Sequence, residues 1–227
     1  MNAGVIMFPD IDGGQSLYNS LYKVCPFHII KLKFNDLLFD KIDVLFLGNG
    51  ARWFKDSSSD ELKWNITEKI SSFSKQGKII VGTGEGVELL CLLGLLPGRF
   101  VSKKRNLFSK QVFIKIANSQ SILTHRIDKS YILKIPMLSF NGSYVASERE
   151  LIEMRQNRQI LFHYCNELGQ ISESCNWSGS VDNIAGISNS DGNVCGIVPR
   201  PELAIDELNG SSDGRYILQS VFSWFVR

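Results

Sequence analysis

The sequence predicts a three-layer α/β fold, with helices on both faces of a mainly parallel central sheet and antiparallel strands added in the C-terminal half. Three observations carry this prediction. Short apolar runs alternate with helical patterns through the first half, as a parallel sheet covered on both faces requires. The second half shifts to short strands separated by turn dipeptides, Asn141-Gly142, Leu168-Gly169, Ser178-Gly179 and Asp191-Gly192. Between the two, Lys78–Leu90 reads as a buried strand, a tight Gly82-Thr83-Gly84-Glu85-Gly86 turn and an apolar helix.

Taken in order, Val5–Phe8 is a continuous apolar run and reads as a first strand, Ser16–Val24 as an amphipathic helix, and His28–Leu32 as a second strand. Val44–Leu47 is a third strand, Asp60–Gln76 a long helix, Ile79–Val81 another buried strand and Gly86–Leu93 the helix after the glycine turn. Strands then follow at Val112–Ala117, Tyr131–Ile135, Ile160–Tyr164, Ile184–Ser188 and Val194–Val198, interrupted by a helix at Glu148–Asn157. Asp213–Phe225 closes the chain as a helix in which Tyr216, Ile217, Val221, Trp224 and Phe225 can share a face. With no internal repeat, low-complexity tract or long linker, residues 1–227 are expected to form a single domain.

Composition narrows the function classes. The 227 residues are 44% hydrophobic and 21% charged, ordinary values for a globular protein. A net charge of +2 gives no electrostatic case for nucleic acid or an anionic membrane, and Lys103-Lys104-Arg105 reads as a solvated loop. No apolar run reaches the roughly 20 residues that span a bilayer, and Met1–Phe8 lacks a basic signal region. The five cysteines (Cys25, Cys91, Cys165, Cys175, Cys195) never fall in Cys-x-x-Cys spacing, which suits a reducing cytoplasm and neither a disulfide framework nor a zinc site. No metal or other cofactor is expected.

The glycine turn is built like a nucleophile elbow without a nucleophile. Enzymes place Ser or Cys at its centre, where a strained strand-to-helix turn lifts the side chain out of the sheet. Here the central residue is Gly84. A phosphate-binding reading of the same turn is weaker: the spacing is not Gly-x-Gly-x-x-Gly, no Walker Lys follows, and Glu85 would repel the anion.

The turn continues into Gly94-Leu95-Leu96-Pro97-Gly98, and three later segments follow in order: Asn176–Ile187, Gly192–Glu202 and Gly210-Ser211-Ser212-Asp213-Gly214. Together they resemble the class I glutamine amidotransferases, flavodoxin-like in fold, and within them the glutaminase subunits of phosphoribosylformylglycinamidine (FGAM) synthase. The resemblance implies hydrolysis of glutamine by a Cys–His–carboxylate triad, with ammonia passed to a synthetase subunit as partner. It places the Cys at Gly84, the His at Arg200 and the carboxylate at Glu202, so only the last is kept. Glycine cannot form a thioester, and arginine cannot act as a base at physiological pH. The oxyanion loop of the family maps onto Gly48 and Asn49, with the second glycine lost, and the family's Ala-His-Gly-Glu-Gly stretch becomes Leu138-Ser139-Phe140-Asn141-Gly142.

Two readings follow from the resemblance. In the first, the chain is a non-catalytic subunit that keeps its binding surface, with Arg52–Asp56 and the loop near Trp177 supplying aromatic interface anchors. In the second, it is an active amidotransferase with an unrecognised nucleophile. Cys91 lies seven residues past Gly84, about 10 Å along a helix axis, and Cys195 falls inside a strand, so neither thiol replaces the lost one. His28, His125 and His163 read as structural, and Arg200 is expected to pair with Glu202.

Overall fold

A computed structural model describes residues 1–9, 12, 14–33, 37–102, 109–138 and 142–226; at Leu37, Leu38, Ala51, Arg52 and Val226 it describes the backbone alone. Lys103-Lys104-Arg105 and residues 139–141 of the altered stretch, with the Asn141 turn, lie outside them.

The first half runs β1 (Asn2–Ile6), α1 (Gln15–Val24), β2 (His28–Leu32), β3 (Val44–Leu47), α2 (Ala51–Asp56), α3 (Asp60–Lys75), β4 (Ile79–Thr83) and α4 (Glu85–Leu92). The second half adds β5 (Arg99–Ser102), β6 (Ser109–Ile116), β7 (Ile132–Leu138), β8 (Gly142–Val145) and α5 (Glu148–Gln156). It closes with β9 (Ile160–Cys165), β10 (Ile184–Ser188), β11 (Val194–Ile197) and α6 (Gly214–Ser223). Nine strands form one sheet in the order β2-β1-β3-β4-β11-β10-β9-β6-β7. The strands from β2 to β11 pair in parallel, whereas β10, β9, β6 and β7 pair antiparallel.

Sequence explains the layering. Every residue of β3 and β4 is buried, as expected for strands covered on both faces. One core cluster packs Leu17 and Leu21 of α1 and Ile217, Leu218 and Val221 of α6 on one side of the sheet. The other holds Ile66, Ile70 and Phe73 of α3, Leu89 and Leu90 of α4, and Met154 of α5. Ser59 caps α3 by accepting from the Leu62 N–H, with Asp60 and Glu61 in the first turn where the helix dipole favours them. Ser147 and Glu150 form a reciprocal capping box at α5.

Strand order reverses between β1 and β3, and the loops leaving their C-terminal ends open a crevice of the kind where open α/β sheets bind ligands. The loops after β4 and β11 lie beside it, because β4 pairs with both β3 and β11.

Several elements differ from the sequence expectation. The first strand ends at Ile6, and Phe8 is buried because its ring packs 6.0 Å from that of Trp53 and not as part of the sheet. Arg52–Asp56, expected to supply aromatic interface anchors, falls within the short helix α2; Trp53 and Phe54 are partly buried against the core. Gly50, which has no side chain to cap α2, leaves little sequence signal for it. The strands β5 and β8, which among the described residues pair with each other in a separate two-stranded sheet, were not expected; β5 is short and largely exposed. The hairpin of β6 and β7 extends from Ser109 to Leu138, beyond both predicted ends, because these two residues pair. The closing helix gives way after Ser223 to a 3-10 turn over Trp224–Val226.

Candidate functional site

The elbow is set by backbone geometry. Gly84 has φ 56° and ψ −122°, a left-sided conformation that costs a side-chain-bearing residue about 1–3 kcal/mol. Its N–H donates to the Ile197 carbonyl at 3.0 Å, which ties the elbow to the end of β11. Two residues on, a Cβ at Gly86 would stand 2.1 Å from the Leu47 carbonyl oxygen, so only glycine lets α4 begin directly against the end of β3. That close approach brings the Gly48-Asn49 loop to the elbow.

Arg200 follows β11 and is 6% exposed. Its backbone N–H donates to the Pro136 carbonyl at 2.8 Å, and Pro201 then starts a one-turn 3-10 helix over Pro201–Leu203 that carries Glu202. The Ser20 hydroxyl of α1 donates to the Glu202 carbonyl at 2.6 Å, anchoring this turn to α1. The Arg200 side chain spans the crevice: Nε donates to Glu202 Oε1 at 2.7 Å and a terminal nitrogen to Asp12 Oδ2 at 2.6 Å. Asn49 Nδ2 donates to the same Asp12 oxygen at 3.0 Å. The expected Arg200–Glu202 pair is therefore present, and Asp12 extends it into a network that also holds Asn49.

The electrostatics follow from this arrangement. Burial works against the Arg200 charge, but Glu202 and then Asp12 outweigh it and hold the guanidinium above its ordinary value. For Asp12, burial pushes upward; hydrogen bonds from the Ser16 N–H (2.9 Å) and from Arg200 overcome it and hold the carboxyl below the usual carboxylate value. Glu202 is 1% exposed, and its Oε2 has no hydrogen-bond partner among the described residues. The site thus contains a fixed cation clasped between two carboxylates. A guanidinium so held cannot remove a proton from a nucleophile.

A Cβ on Gly84 would lie 3.4 Å from Arg200 Cγ, 3.5 Å from Asn49 Oδ1 and 3.6 Å from Arg200 Cδ. These are ordinary van der Waals separations, so the space a side chain would occupy at Gly84 is bounded by Arg200 and Asn49.

The structure brings Gly84, Arg200, Glu202 and Asn49 together, with Gly48 buried beside Leu17 at the base of the same loop. Asp12 is the residue that sequence reasoning missed. Its signal was an acidic residue in the glycine-containing loop after the first strand, at the reversal of strand order; its partner lies 188 positions away, beyond any local pattern.

The remaining thiols and imidazoles lie elsewhere. Burial raises the Cys91 thiol to about 12, with Glu88 and Glu150 adding to the effect, and burial alone raises Cys195 to about 12. Burial likewise raises Cys25 and Cys165 to about 11. His28 is exposed on strand β2, which pairs with β1 at the edge of the sheet among the described residues. The His125 ring packs 5.0 Å from that of Trp224, and His163 Nδ1 lies 3.0 Å from the Asp182 carbonyl. Among the described residues no group of three or more His, Cys, Asp or Glu could hold a metal ion, and no helix is long and apolar enough to cross a membrane.

A nine-stranded sheet of this topology, with a strand–glycine elbow–helix unit beside the strand-order reversal, defines a class I glutamine amidotransferase-type α/β protein. A family profile described as "CobB/CobQ-like glutamine amidotransferase domain" matches residues 38–221, and the chain belongs to that family. It is 32% identical over 226 residues to "Phosphoribosylformylglycinamidine synthase subunit PurQ" of Aquifex aeolicus, covering 98% of this chain and 100% of the relative. It is also 32% identical to the PurQ subunit of Moorella thermoacetica, over 100% of this chain and 98% of the relative. The fold matches a chain from "Structure of PurLQS from Thermotoga maritima" with a TM-score of 0.79 at 24% identity, covering 99% of this chain and 98% of that one.

Proposed function

We propose that this chain is a homologue of the FGAM synthase glutaminase subunit that docks on a synthetase subunit of purine biosynthesis and does not itself hydrolyse glutamine. Full-length similarity to PurQ subunits supports the subunit assignment. The Thermotoga maritima chain of like fold belongs to a structure described as PurLQS, which supports a synthetase partner.

One observation carries the loss of activity. Arg200, salt-bridged to Asp12 and Glu202, borders the side-chain space at Gly84 where nucleophile and base would meet. In this reading Gly84 holds the nucleophile position without a nucleophile, Arg200 the base position without a base, and Glu202 the retained orienting carboxylate, now partnered by a cation. Asn49 of the oxyanion loop is drawn to Asp12, a second change in the machinery that would stabilise an oxyanion. In this reading glutamine, the ancestral ligand, would meet neither a thiol nor an imidazole here, since Gly84 has no side chain and Arg200 takes the place of the base.

The test is reconstitution with a synthetase subunit. The complex should form, and FGAM synthesis should proceed with ammonia but not with glutamine. Glutamine-dependent synthesis at a rate comparable to the ammonia reaction would overturn the loss of activity; failure to co-migrate would overturn the partner.

A further inference from the structure

At the opposite end of the sheet from the amidotransferase site lies a second polar pocket of about 480 Å³. It sits between the end of β6, the segment entering β7, the C-terminal end of α5 and the start of β9. The antiparallel pairings place it there: β10 separates β9 from β11, and β9 enters the sheet where β6 leaves, at the ends of the strands remote from the elbow.

Its charge is one-sided. Lys129, Arg155, Arg158 and His163 line it, and no carboxylate does. Arg155 pairs with Asp182, which leaves Lys129 and Arg158 as cations with no acidic partner among the described residues. The lysine ammonium makes no hydrogen bond to a described residue.

The pocket wall is also held in place. Arg158 has φ 55°, a left-handed conformation rare for a side chain of its size. Asn118 Nδ2 donates to the Arg158 carbonyl at 2.8 Å, and an Arg158 terminal nitrogen donates to Gln120 Oε1 at 3.2 Å. These bonds fix the end of α5 to the turn after β6 and so orient the guanidinium. The left-handed Arg158 follows the last turn of α5, where the Gln159 N–H donates to the Met154 carbonyl at 2.8 Å, and it turns an exposed guanidinium toward the same opening as the exposed Lys129.

We propose that this pocket binds a small molecule bearing a phosphate or diphosphate group, with Lys129 and Arg158 as its principal contacts and Arg155 completing the cationic wall. The volume exceeds that of a lone phosphate and lies within the range of pockets that hold nucleotide-sized ligands. His163 adds a pH-sensitive element. The Asp182 carbonyl can only accept, so Nδ1 carries the proton and Nε2 is the titrating nitrogen. Burial, with Lys115 and Arg155 nearby, keeps the imidazole below its ordinary value, although Asp182 works the other way.

Calorimetric titration of the full chain at low salt, with inorganic phosphate, inorganic pyrophosphate and ADP as separate probes, tests the proposal. Saturable binding is expected for at least pyrophosphate or ADP, and comparison with phosphate distinguishes a free oxyanion from a nucleotide. Lys129→Gln and Arg158→Asn should each weaken it about tenfold, as loss of one charge-assisted contact implies. Asparagine tolerates the left-handed backbone at 158, so far-UV circular dichroism should report an unchanged fold. Absence of saturable binding by the unaltered chain, or equal affinity in both folded variants, would overturn the proposal.

Discussion

Removing the guanidinium from the Arg200 network has a cost that can be worked from the geometry. In Arg200→Ala, Glu202 Oε1 loses its 2.7 Å donor, and Oε2 already has none among the described residues. Among the described residues, a side chain with 0% exposure is then left as a carboxylate with no donor, and Asp12 Oδ2 retains only Asn49. Breaking a buried ion pair by deleting one partner costs about 3–5 kcal/mol, because the remaining charge is uncompensated. For a chain of this length that corresponds to a fall in Tm of about 6–20 °C. The variant can relieve the buried charge only by taking up a proton, so the loss should be larger at pH 8 than at pH 5. Urea denaturation of both proteins at the two pH values, followed by tryptophan fluorescence, measures it. A destabilisation below about 1 kcal/mol at pH 8, the range of ordinary surface substitutions, would refute the view that Arg200 holds the site together.

Three other outcomes follow from the same structure. Asp12 has its carboxyl held below the usual value, so its contribution is complete above about pH 3.9 and lost as pH falls through its lower folded value; Asp12→Asn should therefore flatten acid unfolding below about pH 4, and an unchanged acid limb would count against the Asp12–Arg200 pair. Gly84→Ala should cost about 1–3 kcal/mol through backbone strain alone, since its Cβ meets nothing closer than 3.4 Å, whereas Gly86→Ala should cost more because its Cβ would meet a backbone oxygen at 2.1 Å; equal melting temperatures for the two would contradict the packing of α4 on β3. Native labelling with a thiol-reactive disulfide at pH 7.5 should modify Cys91 and Cys195 slowly, with both thiols raised to about 12 by burial, and rapid modification of either would reveal a nucleophile absent from this account.

What the sequence made legible follows physical lines. The parallel strands were readable because they are buried on both faces: Val44–Leu47 has no polar residue to interrupt the run, and its predicted bounds coincide with the strand. The long helix, expected over Asp60–Gln76, is found over Asp60–Lys75, with Ile66, Ile70 and Phe73 buried at helical spacing. Gly84, Arg200, Glu202 and Asn49 could be named because each sits in an ordered motif. Features created by contact between distant segments were not readable. Asp12 acquires its role only when the first loop folds against residue 200, and α2 is held by Trp53 against Phe8 without a cap of its own. The run Val5–Phe8 misled for the same reason: Phe8 is apolar for its ring contact and not for the sheet.

The central claim, that this elbow has lost its chemistry, is tested most directly by glutamate release from glutamine. The purified chain, bound to a synthetase subunit and supplied with the synthetase substrates, should release glutamate no faster than buffer alone. In the same assay Gly84→Cys combined with Arg200→His should give measurable release, or at least covalent labelling by a glutamine-analogue electrophile, since a Cβ at Gly84 clashes with nothing. Glutamate release by the unaltered chain above the buffer rate would contradict the account.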